Sequence, residues 1–230
     1  MASNARNSFD ENLVDIERLI DFHQVAEHLD KEVSPDSPPP VGKDVVLRSA
    51  IVLLVTYWEA YLEDITTEAI TLIVDKVSDP TKLPKDLKKS IIKELAKDPN
   101  ELASWQLAGD GWRKLLQDRL PKLQEGRDRS FNTPKSHQTR EFLSVALGIA
   151  DVTKAWEFAE RTPEENAAKL DALVETRGQI AHRGKLTKKI TEESVTDATD
   201  FIKKLVSKTG GKISTEVKKI TGISLLKQNG

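Results

Sequence analysis

Residues 44–73 read DVVLRSAIVLLVTYWEAYLEDITTEAITLI, and the fold turns on how that run is interpreted. Val45, Val46, Ala50, Ile51, Leu53, Leu54, Val55, Trp58, Tyr61, Leu62, Ile65, Ala69, Ile70 and Ile73 recur at three- and four-residue steps, and charge enters the interior only at Arg48, Glu59, Glu63, Asp64 and Glu68. A long helix wetted on so little of its surface belongs at the centre of a helical bundle. Ile51 to Val55 taken alone could be a buried strand, but no turn signal breaks about 30 residues, far longer than strands run. The most apolar part, Ser49 to Trp58, is about half of the ~20 residues that cross a bilayer, so it is expected to be buried in protein and no membrane partner is expected.

Upstream, Phe9, Leu13, Ile16, Leu19, Ile20 and His23 form the stripe of an amphipathic helix reaching about Lys31. Ser34-Pro35-Asp36-Ser37-Pro38-Pro39-Pro40 then makes a stiff connector, because consecutive prolines cannot sit inside a helix. Residues 1–8 read as disordered or tag-like and are left out of the domain.

Downstream, Ser78-Asp79-Pro80, Leu83-Pro84, Asp98-Pro99-Asn100, Gly109-Asp110-Gly111 and Pro121 divide the middle third into extra short helices. Arg127 to Lys135 reads as a basic loop, and Val152 to Ala159 as a further turn or two. Thr162-Pro163-Glu164-Glu165 is a capping box with proline at the first helical position. It opens a helix expected to carry Ala167, Leu170, Leu173, Val174, Ile180 and Ala181 inward and to end at Gly184. Thr191-Glu192-Glu193 caps a last major helix, expected to stop at Gly210-Gly211 with a basic tail or short helix over 210–230. The result is an all-α chain with one helical domain over residues 9–209.

At 230 residues the chain can bury a core unaided. It has no cysteine, which removes disulfide and thiolate-metal sites and leaves the cytoplasm as the expected compartment. The net charge of −2 gives no global drive toward nucleic acid, but the charges are unevenly placed. Acids crowd Asp10 to Glu32, whereas Arg177 to Lys189 holds only bases, the segment a polyanion would choose.

No glycine-rich phosphate loop, His-x-x-x-His pair or Gly-x-Ser-x-Gly elbow occurs. What remains is Arg177-Gly178-Gln179-Ile180-Ala181-His182. Imidazole both takes and gives protons near neutrality, and guanidinium stabilises charge on phosphoryl oxygens, so the pair can work on a phosphodiester without a metal or other cofactor. On an ideal helix the two side chains lie about 140° apart around the axis and roughly 7.5 Å apart along it. They do not touch directly, although a phosphate can still sit between them, and both converge on one phosphodiester if the helix frays near Gly178 or Gly184 or if a second copy packs across a two-fold axis. Arg18 and His23 share the spacing, but His23 continues an apolar stripe in an acidic helix and reads as a core histidine. Arg183, Lys185, Lys188 and Lys189 follow His182 and can hold an RNA backbone near it. Bases at a helix C-terminus also suit the helix dipole in any protein. Glu59, Glu63 and Gln179 are candidate supporting residues, while His28 and His137 receive no role.

Arg177-x4-His182 in the penultimate helix, together with Tyr57-Trp58-Glu59-Ala60-Tyr61-Leu62-Glu63-Asp64-Ile65 upstream and Ile180-Ala181-His182-Arg183-Gly184, resembles the RiboL-PSP-HEPN type of the HEPN superfamily over roughly Phe9 to Ser207. The resemblance implies a HEPN-like bundle and a metal-independent endoribonuclease. In it, arginine and histidine from the two protomers of a homodimer line one cleft, and cutting leaves 2′,3′-cyclic phosphate ends. Carried over, His182 is the acid or base and Arg177 binds the scissile phosphate. Such domains often serve as toxins or in anti-phage defence, with an antitoxin or regulatory protein, and some are inactive modules that bind RNA, nucleotide or protein. The family commonly places a polar residue after the arginine; here it is Gly178.

Overall fold

Trp58 and Trp156 are fully buried and meet edge to face at 6.3 Å, and the helices are arranged around that contact. The computed structural model describes residues 3–31, 43–119, 133–183 and 189–226. Helices α1 (Asn4–Lys31), α2 (Lys43–Lys76), α3 (Lys85–Leu95), α4 (111–119), α5 (Ser136–Leu147), α6 (Pro163–Arg183) and α7 (Glu192–Thr221) follow in order. Short 3-10 segments at Pro80–Lys82, Ala103–Leu107 and Thr153–Ala155 lie between them, and no strand occurs among the described residues.

The all-α reading holds, and α2 is the axis: α1, α5, α6 and α7 all pack on it. Its Ala50, Ile51, Leu54, Val55, Trp58, Leu62 and Ile65 are buried, as the periodicity requires. By length and composition α2 could cross a membrane, but much of its apolar surface is used on these core contacts. The polar atoms of the large aromatic residues carried inward are satisfied. Trp58 Nε1 donates to the Pro134 carbonyl at 3.2 Å, Trp156 Nε1 to Thr209 Oγ1 at 2.9 Å, and Tyr61 Oη to the Val206 carbonyl at 3.1 Å. The further turn expected near Val152 is the 3-10 segment Thr153–Ala155, held by Asp151, which delivers Trp156 to the core.

Two helix ends differ from the sequence reading. First, α1 starts at Asn4 rather than near Phe9: Ser3 and Ala5 are buried, and the Ala5 N–H donates to Glu68 of α2. Ala5 lies four residues before Phe9 on the same stripe, and a lone alanine is too weakly apolar to be noticed there. Second, α7 continues through Gly210-Gly211 to Thr221 and ends on Gly222, whose φ of 76° is the left-handed cap. Ile213 and Val217 are buried and extend the stripe. Their burial outweighs the helix penalty of glycine, about 1 kcal/mol per residue.

Gly210 is there for space. A Cβ at this position would stand 2.4 Å from Tyr61 Oη and 3.7 Å from Cζ. Gly210→Ala in the wild-type background is therefore expected to cost about 1–3 kcal/mol by overpacking. In a Tyr61→Phe background, which removes the clashing oxygen, the same substitution should become neutral or stabilising by up to about 1 kcal/mol, because alanine is the better helix former. Urea unfolding of the four chains in this cycle reads the change of sign. Like-signed effects in both backgrounds would refute the steric account.

The far end of α1 is pinned to the start of α7. His23 is buried, as its stripe implies, and its Nδ1 lies 2.7 Å from Glu192 Oε1, while Gln24 Nε2 donates to Glu192 Oε2 at 2.9 Å. Those hydrogen bonds, Gln24's first and then His23's, hold the Glu192 carboxyl below the usual carboxylate range. A depressed folded value means that the stabilisation is fully present above the ordinary glutamate range and is lost as pH falls through the lowered value. Glu192→Gln should therefore flatten the loss of melting temperature between about pH 5 and pH 3 relative to wild type. Parallel profiles would show that the tie carries no stability.

Candidate functional site

The helix carrying Arg177 and His182 is fastened at its start and along one flank. Thr162 Oγ1 accepts the Glu165 N–H at 3.2 Å and Glu165 Oε2 accepts the Thr162 N–H at 2.8 Å, the reciprocal cap expected from sequence. Leu170 and Val174 are fully buried and seat α6 on α2. Asp171 accepts from both the N–H and the hydroxyl of Ser136, at 2.6 and 2.9 Å, and so caps the start of α5 from a neighbouring helix. Glu175 pairs with Lys135 at 2.6 Å one turn further on. Asp171 and Glu175 are positioning residues with no sequence signature, because their partners lie 35 and 40 residues upstream.

With α6 clamped in this way, the helix runs unbroken from Pro163 to Arg183 and does not fray at Gly178. Arg177 is half-buried and engaged by neighbouring groups, Gln179 is exposed, Ile180 is partly buried, and His182 is exposed in the last turn. Regular geometry then keeps the guanidinium and the imidazole about 140° apart around the axis. One chain does not bring them to a common point. A Cβ built on Gly178 would meet nothing within 4 Å, so the packing within this chain does not require the glycine.

Glu59 and Glu63 are half-buried on α2, the helix α6 packs against, and each is engaged by neighbours. Lys189 is exposed just ahead of the Thr191 cap. The Arg183 side chain, Lys185 and Lys188 lie outside the described residues, as does the Gly184 helix stop. His137 is exposed, while the His28 side chain lies outside the described set. Trp58 and Tyr61 are core residues with no free face for stacking, and Tyr57 is half-buried with its hydroxyl donating to Asp15.

Beside the motif lies a feature that the sequence reading missed. Val45, Arg48, Ser49, Val52 and Leu53 of α2 and Ile180 of α6 line an open groove of about 500 Å³. Its walls are mainly apolar, Val45 is 52% exposed, and only 44% of the most apolar stretch of α2 is buried within this chain. Apolar surface concentrated at one place is characteristic of an association face. Periodicity marked Val45 and Leu53 as apolar but did not distinguish residues facing the core from those facing the groove.

A family model described as RiboL-PSP-HEPN matches residues 11–215 of this chain. Neither the curated proteins nor the solved structures contain a match.

Proposed function

The chain belongs to the RiboL-PSP-HEPN family, a HEPN-type domain with RNA-related function, and from that premise we propose that it is a metal-independent endoribonuclease that works as a homodimer. The reading rests on one observation: an unbroken α6 separates Arg177 from His182 within the chain, and the groove ending at Ile180 beside them supplies a face for a second copy. Across a two-fold axis, the arginine of one protomer and the histidine of the other line a shared cleft.

The chemistry in such a cleft is transesterification. The 2′-oxygen attacks the adjacent phosphorus and the P–O5′ bond breaks, leaving a 2′,3′-cyclic phosphate and a 5′-hydroxyl. An imidazole removes the 2′-proton or protonates the departing 5′-oxygen, and solvent water serves for the other proton transfer. Arg177 stabilises the charge on the non-bridging oxygens, with two donors in a fixed plane. Arg183, Lys185, Lys188 and Lys189 hold the flanking RNA backbone. Glu59, Glu63 and Gln179 support the pair. The cytoplasmic setting in this proposal is toxin or anti-phage defence, held in check by an antitoxin or regulatory protein.

Gly178 favours a second reading, a non-catalytic module that binds RNA, nucleotide or a partner protein, because the polar residue expected beside the arginine is missing. Incubating end-labelled RNA with wild type and His182→Ala in chelator decides between the two. Cyclic-phosphate products from wild type alone support the nuclease, and binding without turnover supports the module.

A further inference from the structure

The turn entering α6 is strained. Ala159 and Glu160 are consecutive residues at φ 53° and 57°, the left-handed region where L side chains crowd their own carbonyls. Strain of this kind persists where the surroundings over-determine it. Asn166, fully buried in α6, does so here: its Nδ2 donates to the carbonyls of Trp156, Phe158 and Arg161 at 2.9, 3.2 and 3.4 Å. Phe158 and Arg161 close the turn as an isolated bridge. The consequence is a fixed position for Arg161.

Arg161 stands at a cavity of about 220 Å³ that it shares with Lys169 of α6 and Lys204 of α7. Phe158 and Phe201 also line it, their rings 5.8 Å apart, and the Lys169 ammonium lies 4.7 Å from the centre of the Phe201 ring. Asp197 and Asp200 are present as well, so the sign of the local field has to be decided. Lys169 reports on it. Its proton affinity is lowered first by burial and next by Arg161; Asp197 opposes by less than Arg161 contributes, and Lys204 lowers it again. Burial, Arg161 and Lys204 thus act on the ammonium in one direction, with Asp197 opposing them.

We propose that this cavity is an anion site, separate from Arg177 and His182, that takes the phosphate of a small phosphomonoester. Arg161 grips two oxygens through its planar fork, Lys169 and Lys204 neutralise the remaining charge, and the half-buried Phe158 offers an apolar face to whatever the phosphate carries. The volume suits a phosphate and its nearest atoms, leaving the rest of the ligand at the mouth. Lys169 and His182 are about 140° apart around α6 and roughly 20 Å apart along it, too far for one phosphate to touch both. The site does not depend on the nuclease reading.

The test is isothermal titration of the full chain with inorganic phosphate, ribose 5-phosphate and AMP, each also measured on Arg161→Ala, Lys204→Ala, Asp197→Asn and Arg177→Ala. One saturable site with a dissociation constant of about 1 mM or tighter is expected. Arg161→Ala and Lys204→Ala, both at exposed residues, should weaken it about tenfold. Asp197→Asn should tighten it several-fold, a gain that a merely structural role does not produce. Arg177→Ala should leave it unchanged. AMP binding more tightly than ribose 5-phosphate identifies a nucleotide ligand, and equal binding identifies the phosphate as the recognised group. No saturation by about 10 mM, weaker binding in Asp197→Asn, or loss in Arg177→Ala with retention in Arg161→Ala would each overturn the proposal.

Discussion

Replacing His182 by alanine is expected to lower RNA cleavage in chelator by about 100-fold or more, the range associated with removing a general acid or base. The melting temperature should hardly change. His182 is exposed in the last turn of α6, and substitutions at such positions usually alter stability by no more than about 0.5 kcal/mol. That separation makes His182, rather than Arg177, the cleaner probe. Arg177 is half-buried and engaged by its neighbours, so truncating it also disturbs the surface of α6 that faces α2. For the arginine the informative change is Arg177→Lys, which keeps the charge and removes the planar fork. Cleavage should fall nearly as far as in Arg177→Ala if two phosphoryl oxygens are gripped together. Undiminished cutting by His182→Ala would end the nuclease reading, whatever the arginine variants do.

The parts of the fold that could be read from sequence were those written locally. The stripe of α2 needs only its own 30 or so residues, and the cap at Thr162 and Glu165 is complete within four positions. What escaped depends on distant partners. Gly210 reads as a helix stop because its local cost is visible while the hydroxyl that requires it, on Tyr61, is far upstream. Ala5 looks neutral until Phe9 and the packing of α1 on α2 give it a place. Asp171, Glu175 and Asn166 are ordinary polar residues on a helix; only the folded chain shows that they hold the start of α5 and the turn before α6. At the site, the identity and spacing of Arg177 and His182 were legible, and so was the angle between them. How that angular mismatch would be resolved was not, because no local pattern in the sequence records what packs against the folded surface.

The second large effect follows from that mismatch. Arg177→Ala and His182→Ala, each nearly inactive alone, are expected to recover cleavage when co-expressed or unfolded and refolded together, because a mixed dimer retains an intact arginine on one protomer and an intact histidine on the other. Random pairing makes about half of the dimers mixed, and each mixed dimer keeps one of its two symmetry-related Arg–His pairs, so about a quarter of the wild-type rate is the ceiling, and a rise of at least about tenfold over either variant is the expected signal. Recovery should vanish when Val45→Asp is added to both chains. Val45 is 52% exposed, so an aspartate there costs the isolated chain little, whereas in a face that Val52, Leu53 and Ile180 share with Arg48 it adds a carboxylate that must lose its water on association. Size-exclusion chromatography should show that variant eluting as a monomer with its helical content unchanged. A mixture no more active than its components would mean that the guanidinium and the imidazole do not act across protomers.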